Sequence, residues 1–286
     1  VREATLEVGA EPFPGYRLVG LRGCGGFSQV WEATADDGSP VALKFMPSHD
    51  GPAAGLELRM IQALSELRHP GLIGVRQVWC QPGHVVVAME LAEGSLLDLL
   101  EAYQIEHGTP VEAGLLLDYL SQAADALDFL NARQHLYLGS RTGFQHCDVK
   151  PSNLLILGRR LKLADFGLAA ATSTRLAPGR SAGSLDYAAP EVYRGQLSDT
   201  SDQFSLAVTY CHLRTGRLPF PEPPTRFLRS YVRPAPDLTL LSPPEKAVIR
   251  RALAPTPQDR WPNCGAFVYQ LADLSGIEGC PLQVRA

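Results

Sequence analysis

His146-Cys147-Asp148-Val149-Lys150-Pro151-Ser152-Asn153 lies near the middle of this 286-residue chain, with Asp165-Phe166-Gly167 and then Ala189-Pro190-Glu191 downstream of it. The chain changes character around this segment. Upstream, Tyr16–Leu21, Gln29–Thr34 and Pro40–Met46 are short runs of strand formers, separated by a Gly-rich turn and by Asp36-Asp37-Gly38, a hairpin signal. Leu56, Met60, Ile61, Leu64 and Leu67 then fall at helical spacing and predict one amphipathic helix. Leu72–Trp79 and His84–Glu90 are further strand candidates. After Glu93-Gly94-Ser95 the pattern is helical: Leu96–Tyr103 and Glu112–Asn131, then Asp202–Thr215, Pro244–Ala254 and Cys264–Leu274. Strands first and helices later predict an α+β protein with two lobes. Residues 1–15, with Gly9, Pro12, Pro14 and Gly15 and no periodicity, read as an N-terminal extension.

Composition narrows the function classes. Hydrophobic residues at 45% and charged residues at 20% describe a globular chain and exclude a mostly disordered one. Lys and Arg number 26 against 30 Asp and Glu, a net charge of −4, so no basic surplus points to a nucleic-acid partner. No apolar run approaches the roughly 20 residues of a spanning helix, so no membrane contact is expected from this segment itself. The chain begins Val1-Arg2-Glu3 without a signal-type apolar stretch, which leads us to expect a domain of a longer chain, one whose other parts could anchor it to a membrane. None of the six Cys sits in a CxxC pair, which favours reduced thiols and a cytoplasmic location.

Gly23-Cys24-Gly25-Gly26-Phe27-Ser28-Gln29-Val30 joins two expected strands. Glycines let a backbone approach phosphates and aim N–H groups at them, although a glycine turn alone is commonly only a turn. No Gly-Lys-Ser/Thr follows, so this is not a Walker loop. A strand follows it where a dinucleotide-binding turn would lead into a helix. Lys44 ends the apolar run Val41-Ala42-Leu43. A Lys in such a strand either snorkels to solvent or meets a charge, and Glu57 on the expected helix can supply one.

Taken in order, the glycine loop, strand Lys, helix Glu, Asp148 segment, Asp165-Phe166-Gly167 and Ala189-Pro190-Glu191 resemble the signature set of eukaryotic-like serine/threonine protein kinases. The local phrasing is similar to bacterial members of that family. The resemblance runs from Tyr16 to Leu274 and implies a bilobal kinase fold, with an N-lobe over 16–91, a C-lobe over 92–275 and a tail over 276–286. It implies Mg²⁺-dependent transfer of the ATP γ-phosphate to Ser and Thr hydroxyls of protein substrates, with Mn²⁺ as an alternative ion. Self-association for autophosphorylation is a further expectation.

The resemblance also assigns roles. Asp148 would accept or orient the substrate hydroxyl proton, and Lys150 would steady the phosphoryl group in transfer. Asn153 and Asp165 would hold the hard, oxygen-seeking Mg²⁺. Lys44, held by Glu57, would grip the α- and β-phosphates beneath Gly23, Gly25 and Gly26. Met89 matches the gatekeeper, Glu90 and Ala92 the hinge, and Val30, Ala42 and Leu155 the residues around adenine. Gly183–Glu191, which includes Ser184, resembles the peptide-receiving segment. Asp202 resembles the buried Asp that braces the catalytic loop, and Arg260 the ion-pair partner of Glu191.

Departures accompany these matches. Ser28 replaces the third loop Gly, and Cys147 replaces the usual Arg. Glu57 stands farther from His69-Pro70 than is usual, with Glu66 as the poorer alternative. Arg133–Phe144 lengthens the link before His146, and His135 and Arg141 within it are expected at the surface. Arg226, Arg229 and Arg233 are expected to form a solvated basic face. Trp31, Trp79 and Trp261 are expected to pack, Trp261 over the Glu191–Arg260 pair. Two rival readings are a pseudokinase-type ATP-binding scaffold, which loss of Lys44, Asp148 or Asp165 would favour, and a small-molecule kinase, against which the peptide-receiving segment argues.

Overall fold

The computed structural model of the chain describes residues 6–25, 28–47, 60–81, 83–172, 184–220 and 230–274. The chain divides into two compact units, residues 1–68 with 73–93 and residues 69–72 with 94–286.

The first unit is built on one antiparallel sheet of order β1-β2-β3-β5-β4, from β1 (Tyr16–Gly25), β2 (Ser28–Ala35), β3 (Pro40–Pro47), β4 (Val75–Gln81) and β5 (His84–Glu90). Gly38, at φ 78°, makes the expected β2–β3 turn, since a left-handed backbone there suits a residue without Cβ. Side chains alternate across the sheet. Leu18, Trp31, Ala33, Val41, Leu43 and Ala88 form the core on one face. The N-terminal extension packs on this unit: the Gly9 N–H donates to the Leu18 carbonyl and the Leu18 N–H to that of Ala10. Phe13 stacks on Trp79 with centroids 4.3 Å apart. The expected helix over 56–67 is described only from Met60, and it is helical over 60–65 with Met60, Ile61 and Leu64 buried.

The fourth strand starts three residues later than the hydrophobic run suggests, at Val75 instead of Leu72. His69–Leu72 belongs to the second unit. Leu72 bridges Leu163 in parallel, and His69 stacks on Phe129 and pairs with Asp125. Apolarity alone does not say which sheet a strand former joins.

In the second unit, α1 (Leu96–His107) starts at a capping box between Ser95 and Asp98 and stops at Gly108, which lies at φ 65°. It runs one turn beyond the apolar pattern. Helix α2 (Ala113–Asn131) is capped by the Glu112 carboxylate and buries the stripe Leu116, Leu120, Ala123, Leu127 and Leu130. Helices α3 (Pro190–Tyr193), α4 (Ser201–Thr215), α5 (Pro243–Ala252) and α6 (Cys264–Leu274) follow. Helix α4 is buried along nearly its whole length.

Small strands thread between these helices: β6 (Gly94–Ser95), the hairpin β7 (His135–Tyr137) and β8 (Ser140–Thr142), β9 (Phe144–Gln145), β10 (Leu154–Leu157), β11 (Arg160–Leu163) and β12 (Ala170–Ala171). The long link before His146 is therefore an inserted hairpin. Arg141 is exposed as expected, but His135 is not. Its Nε2 lies 2.7 Å from the Phe129 carbonyl and its ring stacks on Phe144, because α2 and β9 flank the insert and exclude water. Among the described residues no helix is long and apolar enough to cross a membrane.

Candidate active site

In the first unit the strand register fixes one line of side chains. Val30 pairs with Lys44, Lys44 with Val87, and Ala42 with Met89. These five therefore share the sheet face opposite the Trp31–Leu43 core. Ile61 packs on the same face with Val85 and Val87. Lys44 is half-buried there. Gly23 and Gly25 lie at the far end of β1, where an added Cβ would meet nothing within 4 Å among the described residues. Neighbouring protein atoms therefore do not dictate glycine at these positions. Glu90 ties the end of β5 back to Gly74, whose N–H donates to Oε2 at 2.7 Å. Ala92 is half-buried. Gly26 and Glu57 lie outside the described residues, as do Arg226 and Arg229.

In the second unit the Asp148 segment folds around a buried carboxylate on α4. Asp202 accepts the His146 N–H at 2.6 Å and the Cys147 N–H at 2.9 Å. Burial pushes the Asp202 carboxyl above its ordinary pKa, with His146 and the two amides opposing. The turn needs this brace because Cys147 sits at φ 67°, a left-handed conformation that disfavours a residue with Cβ. Gln145 completes the clamp: its Oε1 accepts the Asp202 N–H and its Nε2 donates to Asn131 Oδ1. Sequence reading missed Gln145, since a neutral amide carries no motif signal and its partner lies 57 residues away.

Asp148 is 5% exposed. Its Oδ2 accepts from Lys150 Nζ at 2.8 Å and from Asn153 Nδ2 at 2.9 Å, and its Oδ1 accepts the Ser184 N–H at 2.8 Å. Lys150 Nζ also donates to Ser184 Oγ at 2.8 Å, which closes a ring of three residues. Asn153 uses its Nδ2 on the carboxylate and carbonyl of Asp148, which leaves Oδ1 as its acceptor. The Ala164 N–H donates to the Asn153 carbonyl, so the residue just before Asp165 is tied to Asn153. Asp165 takes φ 71°, a second left-handed position without glycine. Leu155, on β10, is half-buried opposite Ser95 and Lys162.

Farther along, Arg260 and Glu191 form a two-pronged pair with both N–O distances 2.8 Å and side-chain exposures of 0% and 6%. Burial pushes Glu191 up, but the Arg260 hydrogen bonds and charge, with the Ser201 hydroxyl, outweigh it and hold the carboxyl below its ordinary value. The ring over Arg260 is Phe204, 5.0 Å away, while Trp261 lies under Arg251. Arg233 also departs from expectation. It is half-buried and turned into the protein, not part of a solvated face.

Residues 16–266 match the protein kinase domain family. The chain is similar to the serine/threonine-protein kinase PknF of Mycobacterium tuberculosis, 29% identical over 96% of this chain and 59% of that protein. It is 30% identical to the serine/threonine-protein kinase Pkn1 of Myxococcus xanthus, over 88% of this chain and 37% of Pkn1. CBL-interacting protein kinase 4 of Oryza sativa is 33% identical over 87% of this chain and 56% of its own length. The chain thus spans less than two thirds of each of these relatives. A strand-rich unit and a helical unit, a lysine on the sheet face, a clamped Asp–Lys–Asn loop and a match over nearly the whole chain lead to one conclusion: this chain belongs to the protein kinase family.

Proposed function

We propose that this chain is the catalytic domain of a serine/threonine protein kinase, with lobes over 16–91 and 92–275, that moves the γ-phosphoryl group of ATP to Ser and Thr hydroxyls of proteins, further copies of itself included. The observation that carries the proposal is the Asp148 carboxylate, fixed by three donors with Lys150 bridging it to Ser184. Phosphoryl transfer demands positioning and charge neutralisation more than covalent chemistry. Asp148 orients the acceptor hydroxyl and takes up its proton. Lys150, a fixed positive charge beside it, steadies the group in transfer. Lys44, with Glu57 as its proposed partner, grips the α- and β-phosphates, and open Gly23 and Gly25, with Gly26, admit them. Val30, Ala42, Met89, Glu90, Ala92 and Leu155 are the proposed adenine contacts.

The donor set fits Mg²⁺. Asn153 Oδ1 and the Asp165 carboxylate are hard oxygens on tied segments, and Mg²⁺ ordinarily takes one or two protein ligands and fills its shell with phosphates and water. Bound there, Mg²⁺ would supply charge neutralisation for the phosphates.

The direct test is to incubate the protein with Mg²⁺ and labelled ATP, offer it itself and a basic acceptor protein, and identify the labelled residue. Phosphoserine or phosphothreonine is expected. ATP binding without transfer would replace this proposal with the scaffold reading. Lys44→Met should leave the fold intact and cut transfer at least about 100-fold, as expected for loss of a charge that holds the α- and β-phosphates in place. Wild-type rates with Met at 44 would remove Lys44 from the mechanism.

Cys147 predicts independence from loop phosphorylation. An Arg there could grip a loop phosphate with paired charge-assisted hydrogen bonds, whereas a thiol is a weak donor without positive charge. Backbone contacts hold the described start of the segment instead. Strand β12 pairs with β9, and the N–H and hydroxyl of Thr172 both donate to the Gly143 carbonyl. Phosphatase treatment, checked by mass spectrometry, should change initial rates on an external peptide by less than about tenfold, or about 1.4 kcal/mol of barrier. A larger loss restored by rephosphorylating one loop residue would overturn this.

A further inference from the structure

Leu185–Ala188 turns between Ser184, which is tied to Asp148 and Lys150, and α3. Three of its carbonyls point at one side chain from far along the chain. Arg233 Nε donates to the Ala188 carbonyl at 3.0 Å, and Nη2 donates to those of Leu185 and Asp186 at 2.5 and 2.9 Å. The Tyr193 hydroxyl shares the Leu185 carbonyl at 2.6 Å. The guanidinium is caged by aromatic rings, 4.5 Å from the Phe220 centroid and 5.5 Å from that of Tyr193. Among the described residues no carboxylate lies within ion-pair distance of it, so its charge is spent on backbone dipoles and ring faces. A planar fork can reach carbonyls on two edges at once, and a single ammonium cannot. A half-buried cation held this way costs desolvation, and its polar yield is the shape of one four-residue turn.

We propose that Arg233 is a positioning residue that holds Leu185–Ala188 in the shape that receives the acceptor peptide. The proposal rests on the kinase reading above, because only that reading makes this turn a peptide seat. Without the fork, the Asp186 and Ala188 carbonyls lose their donor, that of Leu185 keeps only the Tyr193 hydroxyl, and the turn loosens, while Asp148, Lys150 and Asn153 keep their mutual contacts. The effect falls on peptide affinity more than on the chemical step.

The test compares wild type, Arg233→Met and Arg233→Lys by amide hydrogen exchange over 184–189 and by steady-state kinetics with peptide and ATP varied separately. The Tyr187 N–H, bonded to the Ser184 carbonyl at 3.0 Å, is the reporter amide. The expected result is exchange at least tenfold faster in Arg233→Met, KM for peptide raised about tenfold, and KM for ATP within twofold of wild type. Arg233→Lys, which keeps the charge but not the fork, should fall between them and serves if the Met variant folds poorly. Unchanged exchange in both variants overturns the positioning role, whatever the activity. Faster exchange with unchanged peptide KM overturns the link to peptide binding. Faster exchange in a protein whose wild type transfers no phosphate leaves the positioning role standing and removes the kinase reading instead.

Discussion

Asp148→Asn is expected to lower phosphoryl transfer by about 10²- to 10⁴-fold, the range for loss of a positioned general base, while ATP still binds. The geometry explains why so small a change matters. The carboxylate receives three donors: Lys150 and Asn153 on one oxygen, Ser184 on the other. An amide offers one oxygen and one NH₂, so in either orientation a donor meets a donor. The variant loses its proton acceptor and also loosens the ring that fixes Lys150 and Ser184. The measurement is initial rate with labelled ATP, beside nucleotide binding and a denaturation midpoint. A folded, ATP-binding variant with near wild-type transfer would remove Asp148 from the chemistry.

The second large effect is on stability. Arg260→Met strands Glu191 as a buried carboxylate, and breaking a buried pair from one side costs about 3–5 kcal/mol. Arg260 also donates to the carbonyls of Ala254 and Thr200, bonds that the variant loses, although Thr200 keeps the Phe204 N–H. Acid should narrow the gap between variant and wild type. The pair holds the Glu191 pKa below its ordinary 4.5 in the folded state. Its stabilisation is therefore complete above that ordinary value and is lost as pH falls through the folded value. In Arg260→Met the stranded carboxyl gains from protonation instead. Denaturant midpoints from pH 7 down to pH 3 measure both trends, and Glu191→Gln/Arg260→Met should recover part of the loss. A single-variant cost under about 1 kcal/mol would show that the pair is structurally idle.

The strand formers of Pro40–Met46 and the apolar stripe of Leu116–Leu130 placed β3 and α2 within one residue, whereas α1 runs four residues past the expected Tyr103 to its Gly108 cap. These features are local, because backbone sterics, capping and amphipathic burial act over a few residues. The order of motifs from Gly23 to Arg260 likewise named the family, since the motifs, weak one by one, are specific when they occur together in this order. Tertiary structure decided whatever depended on distant neighbours. Leu72 had the apolarity of a sheet strand, but contacts in the helical unit drew it to Leu163. His135 looked like a surface residue until α2 and β9 enclosed it. Gln145 and Arg233 carried no motif, because their roles reside in carbonyls and amides that any sequence possesses. An amide 57 residues away or a turn some 45 residues away becomes a partner only when the chain has folded. Side-chain type is written in the sequence, but the desolvation that makes a buried hydrogen bond matter arises only from packing.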